Sequence, residues 1–462
     1  GTRAESRDQE HYFFRLSRFK EYLLEHLETL SGTLNARNYA LGWVRDDLHD
    51  WCITRTLEWG VKFPDRDDLV VYVWVDAPIG YISFTEEWAE KNGRSWKEYW
   101  CGDKPRVTHF IGGDIIYHHC IFWPALLEGA GYGVPSAVVA SGMLKVDDHK
   151  FSKSRGYVVW TNDDYLDKGL PADYLRYYLL AYTNHTKELN FSWKMFQERI
   201  NNELVNTLGN FAYRTLFFAR KEFGGVPDIA VSPDILEEIG TTLSQVDSRI
   251  RDYEFKTAID AMMTLAAYGN NYIQTNAPWK LIKTDRNAAA QAVKDCIVLV
   301  RALSLLFEPV IPGKAQEIWE MLGNTDQIAN HRINDAIEDV AAGPLPVPSP
   351  VFSKLEDDFI GEMDRLLAHR VAEAEKKMIK NEMIPFEEFC KLDIRTGNVV
   401  SAEQVPKSNK LLKLKVDIGG EIRQIVAGMA QFYTPEEMTG KSVVVVVNLQ
   451  PARIFGIESN GM

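Results

Sequence analysis

Four prolines stand at alternate positions in residues 341–350, Ala-Ala-Gly-Pro-Leu-Pro-Val-Pro-Ser-Pro. Proline fixes φ and donates no hydrogen bond, so this run can continue neither a helix nor a central strand. It is predicted to be a semi-rigid, extended linker with separate bodies on either side. Upstream, from about 40 to 165, strand and helix patterns alternate as in a doubly wound parallel sheet. Residues 190–340 carry long helical periods, as in 195–218 and 287–307, and read as a bundle. Downstream a charged helix is predicted over 354–381, with Phe359, Met363, Leu366, Leu367 and Val371 as its apolar stripe. Short alternating strands broken by glycines fill 384–462. The predicted fold class is multidomain, with α/β, all-α and β-barrel parts in series. Its segments are 1–165, a connecting region 166–190 with Pro171 at a first helical turn, 191–342, the linker 343–353, 354–381 and 384–462.

A length of 462 residues is enough for two to four such bodies, each with a core. No apolar run approaches a membrane span, and residues 443–447 are strand-sized. The five cysteines (52, 101, 120, 296, 390) include no C-x-x-C, which argues for reduced thiols and against a disulfide framework or a zinc ribbon. A net charge of −13 argues against wholesale nonspecific binding of nucleic acid. Basic residues gathered on one face would still permit an RNA partner.

Three segments carry chemistry. Residues 150–156, Lys-Phe-Ser-Lys-Ser-Arg-Gly, place two lysines three apart among small hydroxyl residues. Such a cationic loop can offset charge on a polyphosphate as pyrophosphate departs, although a solvated Lys/Ser turn would read the same in isolation. Residues 108–124 read as a short strand, a glycine turn and a helix capped by Asp114. The glycines let a ligand approach the backbone, and the helix start favours anions. Ile115 and His119, four apart, share a helix face. His118 and His119 diverge by about 100° with no suitably spaced cysteine or carboxylate, so no metal site is predicted there. In residues 71–81, Val-Tyr-Val-Trp-Val-Asp-Ala-Pro-Ile-Gly-Tyr, the first five predict a buried strand that Pro78 and Gly80 end. Trp74, Ala77, Pro78 and Tyr81 would then cluster at the strand's carboxyl end, where open α/β sheets bind ligands. Aromatic walls of this kind suit a thioether. Near the N-terminus, Phe14, Leu16, Phe19, Leu23 and Leu27 predict an amphipathic helix.

These three segments, in this order, resemble the methionyl-tRNA synthetases, which are class I aminoacyl-tRNA synthetases; Trp-Cys-Ile-Thr-Arg at 51–55 is a weaker fourth match. The resemblance implies ATP-dependent activation of methionine to methionyl-adenylate, release of pyrophosphate, and transfer to tRNA(Met); the cytoplasm is the default expectation for its location. It implies that Trp74, Ala77, Pro78, Tyr81, Ile115 and His119 line the methionine pocket. It further implies that Gly112, Asp114, Lys150, Ser152 and Lys153 bind ATP, with Lys150 and Lys153 catalytic through positioning and charge stabilisation. Magnesium would accompany ATP on its phosphates.

The bundle would be the α-helical anticodon-binding domain, reading bases with Asn210 and Arg214 on one helix face. Residues 384–462 resemble the appended tRNA-binding oligonucleotide-fold (OB) module, with Lys407, Lys410, Lys413 and Lys415 as a basic edge for phosphates. That module dimerises in some relatives, so a homodimer is a further expectation. The OB fold is expected to be truncated before its last strand, leaving an unpaired edge.

The chain also departs from the family. Gly113 stands where many relatives have lysine, Phe151 where they have methionine, and Ala427 where serine is common. No tryptophan near 330–334 matches one that stacks on an anticodon base in some relatives. None of the ten histidines falls in a His-x-Gly-His tetrapeptide, the first class I signature, which in the family lies upstream with a zinc-binding knuckle. The chain is therefore expected to be a fragment lacking the N-terminal half of a partial doubly wound nucleotide-binding domain, inactive alone, with zinc confined to the missing knuckle. Two alternatives stand beside this reading. One is a non-catalytic tRNA-binding protein derived from a synthetase. The other is a class I synthetase for another amino acid, which the pattern around Trp74 and Tyr81 disfavours.

Overall fold

In a computed structural model, residues 9–101, 107–382, 386–406 and 408–462 are described. Two units form, Gly1–Val371 and Ala372–Met462.

In the first unit, α1 (Lys20–Thr29) and α2 (Leu34–Asp46) flank the short strand β1 (Ser31–Gly32). The amphipathic N-terminal helix thus begins later than predicted: Phe13–Phe14 pair with Trp51–Cys52, and Leu16–Phe19 form a 3-10 turn. Leu16, Leu23 and Leu27 are nonetheless all fully buried. Strand β2 (Arg66–Val71) leads into α3 (Val73–Lys91). Strand β3 (Thr108–Gly112) is followed by α4 (Trp123–Ala130) and β4 (Ala137–Ser141). Strands β1, β4 and β3 make a parallel sheet in that order. Residues 137–140 are buried on both faces, so β4 is continuously apolar instead of alternating.

Beyond the sheet, β5 (Leu144–Val146) and β6 (His149–Lys150) form a hairpin, and after α5 (Ala172–Tyr182) strand β7 (Leu189–Phe191) joins β5 in parallel. Asp147 and Asp148 make the hairpin's two-residue turn with φ of 47° and 62°, both left-handed, as a type I′ turn requires.

The helical part comprises α6 (Trp193–Arg199), a π-helical stretch (Ile200–Gly209), α7 (Asn210–Phe223), α8 (Pro233–Arg251), α9 (Phe255–Asn276), α10 (Arg286–Phe307) and α11 (Pro312–Met321). Every residue of 292–307 is buried, which places α10 at the bundle's centre. Its two buried cations are paired there: Lys294 lies 2.9 Å from Asp339 and Arg301 3.0 Å from Glu338.

The proline-rich stretch is packed onto this bundle and is not a free linker between bodies. Gly343–Pro344 pair with Gly225–Val226, and Leu345, Pro348 and Val351 are buried. Burial at every third residue matches the three-residue turn of a polyproline II helix, so the stretch lays one face along the helices. The division between units falls after Val371, within α12 (Asp357–Glu382). On α12, Ile360, Met363 and Leu367 are buried, with Phe359 and Leu366 packed beside them.

In the second unit, β8 (Ile394–Gln404), β9 (Leu412–Asp417), β10 (Ile422–Ala427) and β11 (Ser442–Val446) form an antiparallel sheet of order β10-β9-β8-β11. A hairpin, β12 (Ala452–Ile454) with β13 (Ile457–Ser459), follows. Leu412, Leu414 and Val416 alternate inward, and Lys413 and Lys415 outward. The predicted unpaired edge is covered. The Asn460 amide donates to Gln424 on β10 at 2.8 Å, and Met462 exchanges backbone hydrogen bonds of 2.8 and 3.2 Å with Val446 on β11. The closing residues lie between the two edge strands.

Candidate active site

The predicted strand over 71–75 ends early. Strand β2 stops at Val71, and the amides of Val75 and Asp76 both donate to the Tyr72 carbonyl, closing the first turn of α3. Valine-rich alternation gave the residues strand-like content, but the turn at Tyr72 sets a helical course. Pro78 lies inside α3, where it is buried and cannot donate to the Trp74 carbonyl. Trp74, Ala77, Pro78 and Tyr81, at i, i+3, i+4 and i+7, therefore line one side of a helix and do not gather at a strand end.

That side meets histidines from 109–119. Trp74 stacks on His118, with ring centroids 3.9 Å apart, and meets His119 edge-on at 5.9 Å. The Tyr81 hydroxyl lies 2.9 Å from His119 Nε2, and His119 Nδ1 lies 3.1 Å from the Ile115 carbonyl oxygen. A carbonyl only accepts, so Nδ1 carries the proton and Nε2 accepts from the tyrosine hydroxyl. His119 is 1% exposed, and burial lowers its pKa, which favours this neutral tautomer.

His109, on β3, packs 4.8 Å from Tyr81 and 5.2 Å from His119. Burial, reinforced by His119, pushes both His109 and His118 down to about 4. The cluster is aromatic, polar and uncharged near neutral pH. The sequence reading did not single out His109, and it weighed His118 only as a metal ligand. The available signal for His109 was the alternation of β3, which sets it with Ile111 on the buried face.

Asp114 does not cap a helix. Residues Gly113–Ile115 form a 3-10 turn, His118–Phe122 a π-helical turn, and neither shows a side-chain cap. The carboxylate turns back instead: a Cβ on Gly112 would fall 2.7 Å from Asp114 Oδ1. Gly112 and Ser141 end the neighbouring parallel strands β3 and β4 and pair across them. They therefore lie at the carboxyl edge of the sheet, the edge predicted for a ligand.

The lysine loop starts one hairpin later. Lys150 is exposed at the end of β6. The Ser152 amide donates to the Tyr157 carbonyl at 2.9 Å, which closes the loop that holds Lys153. Gly156 has φ of 81°, and a Cβ there would fall 2.6 Å from the Arg370 carbonyl carbon and oxygen. Lys153 Nζ lies 5.2 Å from the centre of the Trp160 ring. Among the described residues, no hydrogen bond or ion pair joins either lysine to the Trp74–His119 cluster.

Asn210, exposed at the start of α7, borders a groove of about 320 Å³ with Asn206, Tyr213 and Phe352. Arg214 differs from it: its guanidinium donates to Gln274 at 3.3 Å and lies 5.6 Å from the Trp279 ring. In the second unit Lys410 and Lys415 are exposed, whereas Lys413 pairs with Glu403 at 2.8 Å. Lys407 lies outside the described residues. Among the described residues no group of three or more His, Cys, Asp or Glu side chains could hold a metal ion, and no helix is long and apolar enough to cross a membrane.

Three family models match the sequence. Residues 1–216 match class I (M) tRNA synthetases, 228–370 the anticodon binding domain of methionyl tRNA ligase, and 394–462 a putative tRNA binding domain. The chain is 68% identical over 462 residues to the methionine–tRNA ligase of Methanoregula boonei, covering all of this chain and 70% of the relative. It is 64% identical over 463 residues to that of Methanosphaerula palustris, with the same two coverages. Among solved structures, Mycobacterium tuberculosis methionyl-tRNA synthetase bound by methionyl-adenylate is 31% identical with a TM-score of 0.66, covering 75% of this chain and 69% of that one. The free-state crystal structure of the same synthetase gives 29% and 0.64 with the same coverages.

Proposed function

Since the chain belongs to the methionyl-tRNA synthetase family, the class I methionine–tRNA ligases, we propose that the Trp74–Tyr81–His119 cluster is its methionine pocket and the Lys150–Lys153 loop its phosphate clamp. The hydrogen-bonded chain from Tyr81 through His119 to the Ile115 carbonyl carries this reading. It fixes an uncharged imidazole beside Trp74, and such walls pack against a thioether without leaving a buried charge unpaired. Ala77, Pro78 and Ile115 complete the lining. Gly112 and Asp114, at the sheet's carboxyl edge, lie beside adenosine, and Ser152 donates to a phosphate oxygen.

In the reaction a methionine carboxylate oxygen attacks the α-phosphorus of ATP. An acyl–phosphate bond forms as the bond to pyrophosphate breaks. No side-chain nucleophile takes part: the pocket orients the carboxylate, and Lys150 and Lys153 offset the charge gathering on pyrophosphate. Magnesium, if it accompanies ATP, would supply further charge neutralisation beside Lys150 and Lys153. Transfer to tRNA(Met) follows in the cytoplasm. Asn210 and Arg214 read the anticodon, Lys407, Lys410, Lys413 and Lys415 contact tRNA phosphates, and the C-terminal module supports a homodimer.

The His-x-Gly-His tetrapeptide is absent from these residues, and with it a zinc knuckle, so this chain alone makes no adenylate. The alternative is a tRNA-binding protein without catalysis; retention of both Lys150 and Lys153 weighs against it. Methionine-dependent ATP–pyrophosphate exchange tests both points. None is expected from the 462-residue chain, and exchange should appear when a His-x-Gly-His-bearing half is supplied in frame. Exchange by this chain alone would overturn its inactivity, and a completed protein that binds tRNA without exchange would establish the alternative.

A further inference from the structure

The Asp164 carboxylate is 4% exposed and is held from two sides. Arg370, on α12, donates to its two oxygens at 2.5 and 2.6 Å, and the Trp160 backbone amide donates to Oδ2 at 2.7 Å. The Trp160 ring in turn carries Lys153 Nζ at 5.2 Å. The α12 backbone at Arg370 also fills the space a side chain on Gly156 would need. A second tie, Lys168 to Glu362 at 2.7 Å, fastens the same helix to the same segment. Burial alone would raise the Asp164 carboxyl, but the hydrogen bonds from Arg370 and the Trp160 amide overcome it and hold its pKa below the ordinary value. Lys168 also faces this carboxylate, and Asp163 faces Arg370.

Resting on the assignment of Lys153 to the phosphate clamp, we propose that Arg370, Asp164 and Trp160 are positioning residues for the Lys153 ammonium. Arg370 fixes Asp164, Asp164 fixes the backbone of Trp160, and the Trp160 indole seats the ammonium until a polyphosphate draws it away. A cation over an indole face is held loosely and without fixed direction, so a nucleotide's phosphates outcompete it. The buried pair keeps the seat in one place, and that preorganisation is what a charge-stabilising group needs.

Two measurements test this. In the 462-residue chain, tryptic cleavage after Lys153 and Arg155 is followed by mass spectrometry. Arg370→Ala and Asp164→Asn should speed it about tenfold relative to sites in 386–462, with Arg370→Lys between them and wild type. Unchanged cleavage would overturn the latch. In the enzyme completed with its upstream half, Arg370→Ala and Trp160→Leu should each lower kcat for ATP–pyrophosphate exchange about tenfold, with methionine KM within about twofold. Trp160 is 38% exposed, so its replacement leaves the fold standing even if loss of the ion pair does not. A loss confined to methionine KM would overturn the positioning role. Absence of exchange in the completed wild type would overturn the clamp assignment, whereas cleavage judges the latch by itself.

Discussion

At the residue scale, the Tyr81 hydroxyl bonds to His119 Nε2 at 2.9 Å. Tyr81→Phe keeps the ring and removes that bond, at a cost of about 1 kcal/mol. In the completed enzyme methionine KM should rise about fivefold with little change in kcat; an unchanged KM would dissociate Tyr81 from the pocket. His109 makes a different prediction. Its pKa falls from 6.5 in an open chain to about 4 when folded, so between those values the unfolded state binds the more protons. Stability is complete above pH 6.5 and declines toward pH 4, by up to about 3 kcal/mol at 1.36 kcal/mol per unit. Thermal midpoints measured across that window should fall less steeply in His109→Asn than in wild type. That Trp74, Tyr81 and His119 lie beside one another was legible through their family pattern. His109 was not, because what matters about it is its proximity to Tyr81 and His119, which only the packed β3 and α3 create.

At the scale of elements, α3 shows both what was legible and what was hidden. The four positions 74, 77, 78 and 81 repeat with a helical period, yet the β-branched and aromatic run before Pro78 spoke for a strand. Side-chain content outweighed spacing, although spacing carried the correct answer. Strand β3 was legible because β-branched and aromatic residues run straight into the turn at Gly112 and Gly113. The proline stretch was misjudged for the opposite reason: its backbone chemistry was clear, but its buried face follows a period of three. Leu345 is 1% exposed and Val347 73%. Leu345→Ala should cost about 2–5 kcal/mol in thermal unfolding, and Val347→Ala no more than about 0.5 kcal/mol. Equal costs would mean that the stretch is a loose tether after all.

At the scale of the whole molecule, two units with separate cores should unfold in two calorimetric transitions. Removing residues 457–462 strips the covering from the edges of β10 and β11, so the transition of the second unit should fall or vanish while the first stays put. A single transition that shifts as one would contradict this division. The order of domains was legible from composition and periodicity alone, whereas their boundary was not, because α12 runs through it without a break in pattern. The proline strap has a practical corollary. Anyone dividing the gene for separate expression would choose the prolines as the natural scissor point, and the cut would pull Leu345 and Val351 out of the bundle they help to fill. A seam placed after Val371 leaves that bundle whole.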